Sequence, residues 1–184
     1  MSLFTAILVV LLVIGFFILK PMLTGRDSYS GTTLKPGIST VADVEQMMGK
    51  PAQVWKNAAG QIEQMVFVRG PAGFVSFMVH FAADGKMTAI DQVLDEKHFA
   101  QIPLGATQDY VLKILGPARS TNVFAHKHQL YWNYGFCSEH GKRMEYGVQF
   151  DTRTLLVTGS DTIPDPLVNG SESGYCTPWR QPNQ

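Results

Sequence analysis

Neither sign of charge is in excess in this chain. Fifteen Lys and Arg residues balance fifteen Asp and Glu residues over 184 positions. No basic run is long enough to neutralise several phosphates, which argues against nucleic acid as a partner. Cysteine is scarce too: Cys137 and Cys176 stand far apart with no Cys-x-x-Cys spacing, so thioredoxin-like redox chemistry has no basis. A Gly-rich phosphate loop, a His-Glu-x-x-His helix and a Gly-x-Ser-x-Gly elbow are all missing. Residues 170–174 read GSESG and place Glu172 where the nucleophile of such an elbow would stand. With no catalytic set legible, the expectation is a protein that is not an enzyme and that takes neither a cofactor nor a small-molecule substrate.

What the chain does have is one long apolar run. Residues 3–19, LFTAILVVLLVIGFFIL, carry no charge and reach the lower length limit for a helix crossing the hydrocarbon core. A cleaved secretory signal calls for a basic start and small residues before the cut, whereas Met1 and Ser2 precede the run and Lys20, Pro21 and Met22 follow it. A lipoprotein signal calls for a cysteine directly after the run, and there is none. The expectation is an uncleaved anchor over 1–23 that contacts the membrane through residues 3–19. Lys20, Arg26 and Lys35 behind the run would by the charge rule leave the body in the cytoplasm. Residues 24–36 are polar and rich in Gly, Ser and Thr, which suits a linker.

The body repeats itself. TVADVEQMMGKP at 40–51 and TQDYVLKILGP at 107–117 align Thr40 with Thr107, Val44 with Val111, Met48 with Leu115 and Gly49 with Gly116 at a constant offset. Val75, Phe77, Val79 and Phe81 fall on Met144, Tyr146, Val148 and Phe150 at a slightly longer one. This is an internal duplication, with a first unit over 37–102 and a second over 103–160. Each of these segments opens on a threonine that can cap a short helix and closes it with glycine and proline. In the first unit the spacing then predicts strands over 61–69, 74–81 and 86–94, and a capped turn of helix from Asp95 over 96–102. In the second it predicts strands over 129–136, 143–150 and 154–159. The fold class read from these residues is α+β, a short helical element and three to four antiparallel strands in each unit. Residues 161–184, with Pro164, Pro166 and Pro178, read as an extended or partly ordered tail that Cys176 and Trp179 can pin.

Lys97 to Gly116, KHFAQIPLGATQDYVLKILG, carries Phe99, Ile102, Gly105, Thr107, Val111, Leu115 and Gly116 in an order that resembles the SmpA/OmlA (BamE-like) envelope module. Its tandem form is similar to the beta-lactamase inhibitory protein fold. The resemblance covers about residues 34 to 160. It implies a short helical pair on one face of each three- to four-stranded antiparallel sheet, with the other face left to bind a protein. Both families act outside the cytoplasm, which favours a body in the periplasm over the charge rule, on a chain of the inner membrane. BamE-like proteins are generally outer-membrane lipoproteins, and the lipid-accepting cysteine is missing here.

The alternating strands divide into two faces. Val75, Phe77, Val79 and Phe81, and their counterparts in the repeat, make the apolar stripe of a core. The opposite face is the candidate protein-binding surface: Phe74, Met78 and His80 in the first unit and Glu145 and Gln149 in the second, joined by Met65, Phe67, Tyr131 and Asn133 if neighbouring strands keep the register of the repeat. His126, His128, Cys137 and His140 are the weak candidates for a metal site. The strand between the two pairs separates them by roughly 25 Å, and two ligands at each end fall short of a closed site. Cys137 and Cys176 form either one disulfide or two unpaired thiols, depending on the compartment. Asp91, Asp95 and Glu96 sit at a strand end and a helix start, where carboxylates cap turns. The sequon Asn169-Gly-Ser lies in the tail.

The functional expectation is a membrane-anchored, non-enzymatic protein-binding module of the bacterial envelope. It would be an accessory, scaffold or assembly factor for an envelope or inner-membrane protein complex. The alternatives are an inhibitor of a periplasmic enzyme acting through the open sheet face and a metal-binding protein using the His/Cys cluster.

Overall fold

In the computed structural model, Thr40 and Thr107 each start a helix by the same local chemistry. The Thr40 hydroxyl accepts from the Asp43 amide at 3.3 Å, and the Asp43 carboxylate accepts from the Thr40 amide at 2.8 Å, closing a capping box on α1 (Val41–Met48). Thr107 caps α3 (Gln108–Leu115) by accepting from the Tyr110 amide at 3.2 Å. Both helices stop at a glycine of positive φ, Gly49 at 79° and Gly116 at 77°, whose amide donates back to Glu45 and Leu112 respectively. Between them lies α2, the single turn Glu96–Phe99, capped by Asp95. The structure describes residues 33–69, 74–168 and 174–179.

Among the described residues two four-stranded antiparallel sheets form the frame of the fold, each with its strands in sequence order. The first holds β1 (Gln53–Lys56), β2 (Ile62–Arg69), β3 (Val75–Phe81) and β4 (Met87–Gln92). The second holds β5 (Ser120–Phe124), β6 (Gln129–Cys137), β7 (Arg143–Asp151) and β8 (Val157–Pro164). One face of the first sheet, with Met65, Phe67, Phe77 and Val79, buries Val44 and Met48 of α1. One face of the second, with Tyr134, Phe136, Val148 and Phe150, buries Val111 and Leu115 of α3. Phe99 stacks on Tyr146 at 4.1 Å between centroids and meets Phe136 edge-on at 4.8 Å, which seats α2 on the same core.

This corrects the expected α+β tandem of helical pairs. The described residues form a mostly β protein with three short α-helices. Residues 36–38 of the first unit make a turn rather than a partner helix. Pro36 and Gly37 dictate it: Gly37 has φ 75°, and its amide donates to the Met87 carbonyl at 2.8 Å, tying the segment to β4.

The expected N-terminal transmembrane helix and single-pass inner-membrane localisation with a periplasmic body are likewise corrected. No helix among the described residues is long and apolar enough to cross a membrane. The longest, α1 and α3, have eight residues each and reach ~12 Å, against a hydrocarbon core of ~30 Å. Residues 3–19, on which that expectation rests, lie outside the described residues. Of the 24–36 linker, Leu34 is buried in the core beside α1.

Candidate functional site

The second face of the first sheet is occupied from within. Val66, Met78 and Val93 bury together with Trp55 against them, and α3 closes over this side: the Gln64 amide donates to the Lys113 carbonyl at 2.7 Å. A Cβ added to Gly116 would lie 2.7 Å from Cγ2 of Val66. Met78, proposed from sequence as part of a binding face, is therefore 1% exposed in an internal joint. Met65 and Phe67 are corrected further, since they lie on the opposite, core face. β2 pairs with β3 so that Met65 faces Val79 and Phe67 faces Phe77, and directly opposed residues share a face. His80, opposite Gln64 and Ala89, is half-buried at the end of this joint.

The corresponding face of the second sheet stays open in part, with Asn122 and Asp161 exposed, Tyr131 and Gln149 half-buried, and Asn133 and Glu145 buried. Tyr131 opposes Gln149 and Asn122, and Asn133 opposes Gly147 and Ser120. Asp161 of β8 opposes Gly147, and Ile163 opposes Glu145. Of these, Asn122, Tyr131, Asn133, Glu145, Asp161 and Ile163 line a shallow concavity of about 280 Å³ together with Phe124, Lys127 and Gln129. Glycine makes the hollow: a Cβ at Gly147 would meet Asp161 Oδ1 at 2.6 Å, and one at Gly159 would meet Gln149 Oε1 at 3.4 Å. Phe124 meets Tyr131 edge-on at 5.3 Å and steadies an aromatic wall. Tyr131, Asn133, Glu145 and Gln149, all proposed from sequence, come together here. Asn122, Phe124 and Asp161 escaped that reading because β5 and the full length of β8 were not read as strands.

A buried ion network closes one end of this face. Arg119 donates to both oxygens of Asp165, at 3.0 and 3.1 Å, and to Glu145. Burial works against the guanidinium charge, but the hydrogen bonds it donates to Asp165 and Glu145, with their negative charges, more than offset it and raise the Arg119 pKa above its ordinary value. Phe74, also proposed from sequence, lies under two cations, with the Arg119 and Arg143 guanidinium carbons 5.7 and 5.3 Å from its ring centroid. Phe74 and Glu145 thus serve to join hairpin β2–β3 to the second sheet.

The remaining candidates disperse. His126 lies in the 3-10 turn Ala125–Lys127, His128 follows it at φ 53°, and His140 stands exposed in the β6–β7 turn. Cys137 is bonded to Cys176 with their Cα atoms 5.9 Å apart, which removes its thiolate from any ligand set. No cluster of three or more potential ligand residues occurs among the described residues. The disulfide fastens the tail, and Trp179 beyond it meets Phe77 edge-on at 5.1 Å in the first core. Asp91, Asp95 and Glu96 line a second cleft of about 590 Å³ under this strap, beside His98, Glu139 and Trp179. Asp95 there caps α2 and bonds the His98 ring at 2.6 Å. Among the described residues no serine, threonine or free thiol lines that cleft to act as a nucleophile. Asn169 lies outside the described residues.

No family model matches the chain, and no curated protein matches it. Among solved structures, a DUF4309 family protein (YjgB) from Bacillus subtilis is similar at 14% identity, over 71% of this chain and 82% of that one, with a TM-score of 0.26. A likeness that low carries neither fold nor function across.

Proposed function

We propose that this protein is a non-enzymatic protein-binding module that docks a partner on the open face of its second sheet. The supporting observation is the contrast between two equivalent faces: in the first sheet α3 covers it, and in the second Asn122 and Asp161 stay exposed and Tyr131 and Gln149 half-exposed, with no covering element over them among the described residues. Tyrosine and side-chain amides on a rigid sheet give large contact area and adaptable hydrogen bonding at low entropic cost. The resemblance of Phe99, Gly105, Thr107 and Gly116 to the BamE-like module supports the same use of a free sheet face.

The test is co-purification of the carboxy-terminally tagged chain with a partner in stoichiometric amount, repeated with Tyr131→Glu and Gln149→Lys. Wild type should retain the partner and the folded variants should release it. A partner held equally well by both variants removes this face from the proposal.

A further inference from the structure

Sheet edges invite pairing with other chains, and folded proteins blunt them with bulges, charges, proline or covering segments. Three of the four edges here are blunted in this way. β1 has four residues, carries Lys56 and breaks register between Trp55 and Lys56. The start of β4 is covered by residues 37–39, which exchange main-chain bonds with Met87 at 2.8 Å. β8 is held at its start by Gly105 and Ala106 bonding Val157, carries Asp161 in its middle and ends at Pro164. The fourth edge, β5, has none of these devices among the described residues. Its sequence Ser-Thr-Asn-Val-Phe has no charge, glycine or proline, its five pairs with β6 run without a register shift, and all five residues are exposed. Val123 is 67% exposed on it.

From this contrast we infer that β5 is the contact strand of a symmetric dimer, pairing antiparallel with β5 of a second copy of this chain. The strand is complementary to itself. With a two-fold axis at Asn122, Thr121 faces Val123 of the other copy, Ser120 faces Phe124, and the two Asn122 amides meet. β-branched pairs and amide contacts of this kind stabilise antiparallel ladders, and no like charges oppose each other. Pairing would satisfy the outer main-chain groups of β5 and cover Val123. It would also join two four-stranded sheets into a single one, with both open faces on the same side. The inference goes beyond partner docking and stands without it.

A strand-edge contact alone buries less than the ~1,200 Å² of a standard interface, so association should depend on concentration from the micromolar range upward. Sedimentation of the full chain across that range should show a monomer–dimer equilibrium, and Val123→Lys should shift it to monomer with an unchanged far-ultraviolet spectrum. Residues opposed across an antiparallel pair have Cα atoms about 4.5 to 5.5 Å apart, within disulfide reach. Asn122→Cys should therefore cross-link to its copy under oxidised glutathione roughly tenfold faster than Ala59→Cys in the exposed β1–β2 turn, because only the former pair is pre-associated. A monomer at every concentration overturns the inference. So does a dimer that Val123→Lys leaves intact and Asn122→Cys cross-links no faster than the control.

Discussion

At the scale of single residues, Arg119 is the position on which the open face most depends. Its side chain is 10% exposed, between Glu145 at 11% and Asp165 at 1%. Replacing it with alanine strands two buried carboxylates, and losing one partner of such a network costs about 3 to 5 kcal/mol. Arg119→Ala should show that loss in urea unfolding, whereas a loss under about 1 kcal/mol would mean that water already reaches the network. Asp95 makes a pH-dependent contribution. Burial raises its pKa, but the hydrogen bonds from the His98 side chain and amide and the charges of His98 and Lys97 prevail and hold it below the ordinary 3.8. Because the folded pKa is the depressed one, the stabilisation is complete above the unfolded value and is lost as pH falls through the folded one. Between pH 4 and pH 2 the wild type should therefore lose stability more steeply than Asp95→Asn, whose amide still caps α2 but does not titrate. Parallel slopes would show that Asp95 gains nothing from folding.

Among elements, local chemistry could be read from the sequence and pairing could not. Thr40 and Thr107 before the helices, and Gly49 and Gly116 after them, carry their meaning within a few residues, and both caps form. Whether Met65 and Phe67 face the core depends on which β2 residue stands opposite Val79, a matter of inter-strand register on which a one-residue change reverses the face. β1 and β5 escaped notice for a related reason. Gln53–Lys56 and Ser120–Phe124 are short and polar, and they become strands because β2 and β6 offer them a ladder. A helical partner before α1 was implied by the resemblance alone, since Tyr29 to Pro36 do not read as a helix, and the described residues there hold a turn at 36–38 with Gly37 bonded to Met87. The Cys137–Cys176 bond lies between these cases, since both residues were evident and only folding shows that they meet. It closes a loop across a separation of 39 residues, and such a crosslink contributes about 2 to 4 kcal/mol. Cys176→Ser should lower the urea midpoint accordingly and quench-expose Trp179 by freeing it from Phe77. An unaltered midpoint would mean that Trp179 holds the strap without the bond.

On the scale of the whole molecule, the duplication produces an asymmetric result from two similar units. Each has a helix, a cap and a four-stranded sheet, yet α3 is held from both sides: Val111 and Leu115 pack on the second sheet while Lys113 and Gly116 press on the first. That shared helix buries the outer face of sheet one and leaves that of sheet two open for contact. Gly49 and Gly116, equivalent in the repeat, isolate the joint experimentally. Both have φ near 80°, at 79° and 77°, so alanine strains the backbone similarly at each. Around Gly49 an added Cβ meets nothing within 4 Å, whereas at Gly116 it meets Val66 Cγ2 at 2.7 Å. Val66 is fully buried and β-branched, so its χ1 is stiff. Gly49→Ala should cost about 1 to 3 kcal/mol of backbone strain, because φ 79° with ψ −155° is a conformation held essentially by glycine alone. Gly116→Ala should cost about 1 to 3 kcal/mol more, the usual penalty of overpacking. The difference between the two, measured by urea unfolding, reports how firmly the units are joined. Equal losses would show that the first sheet moves away from α3 at no cost, leaving its outer face as available to a partner as that of the second.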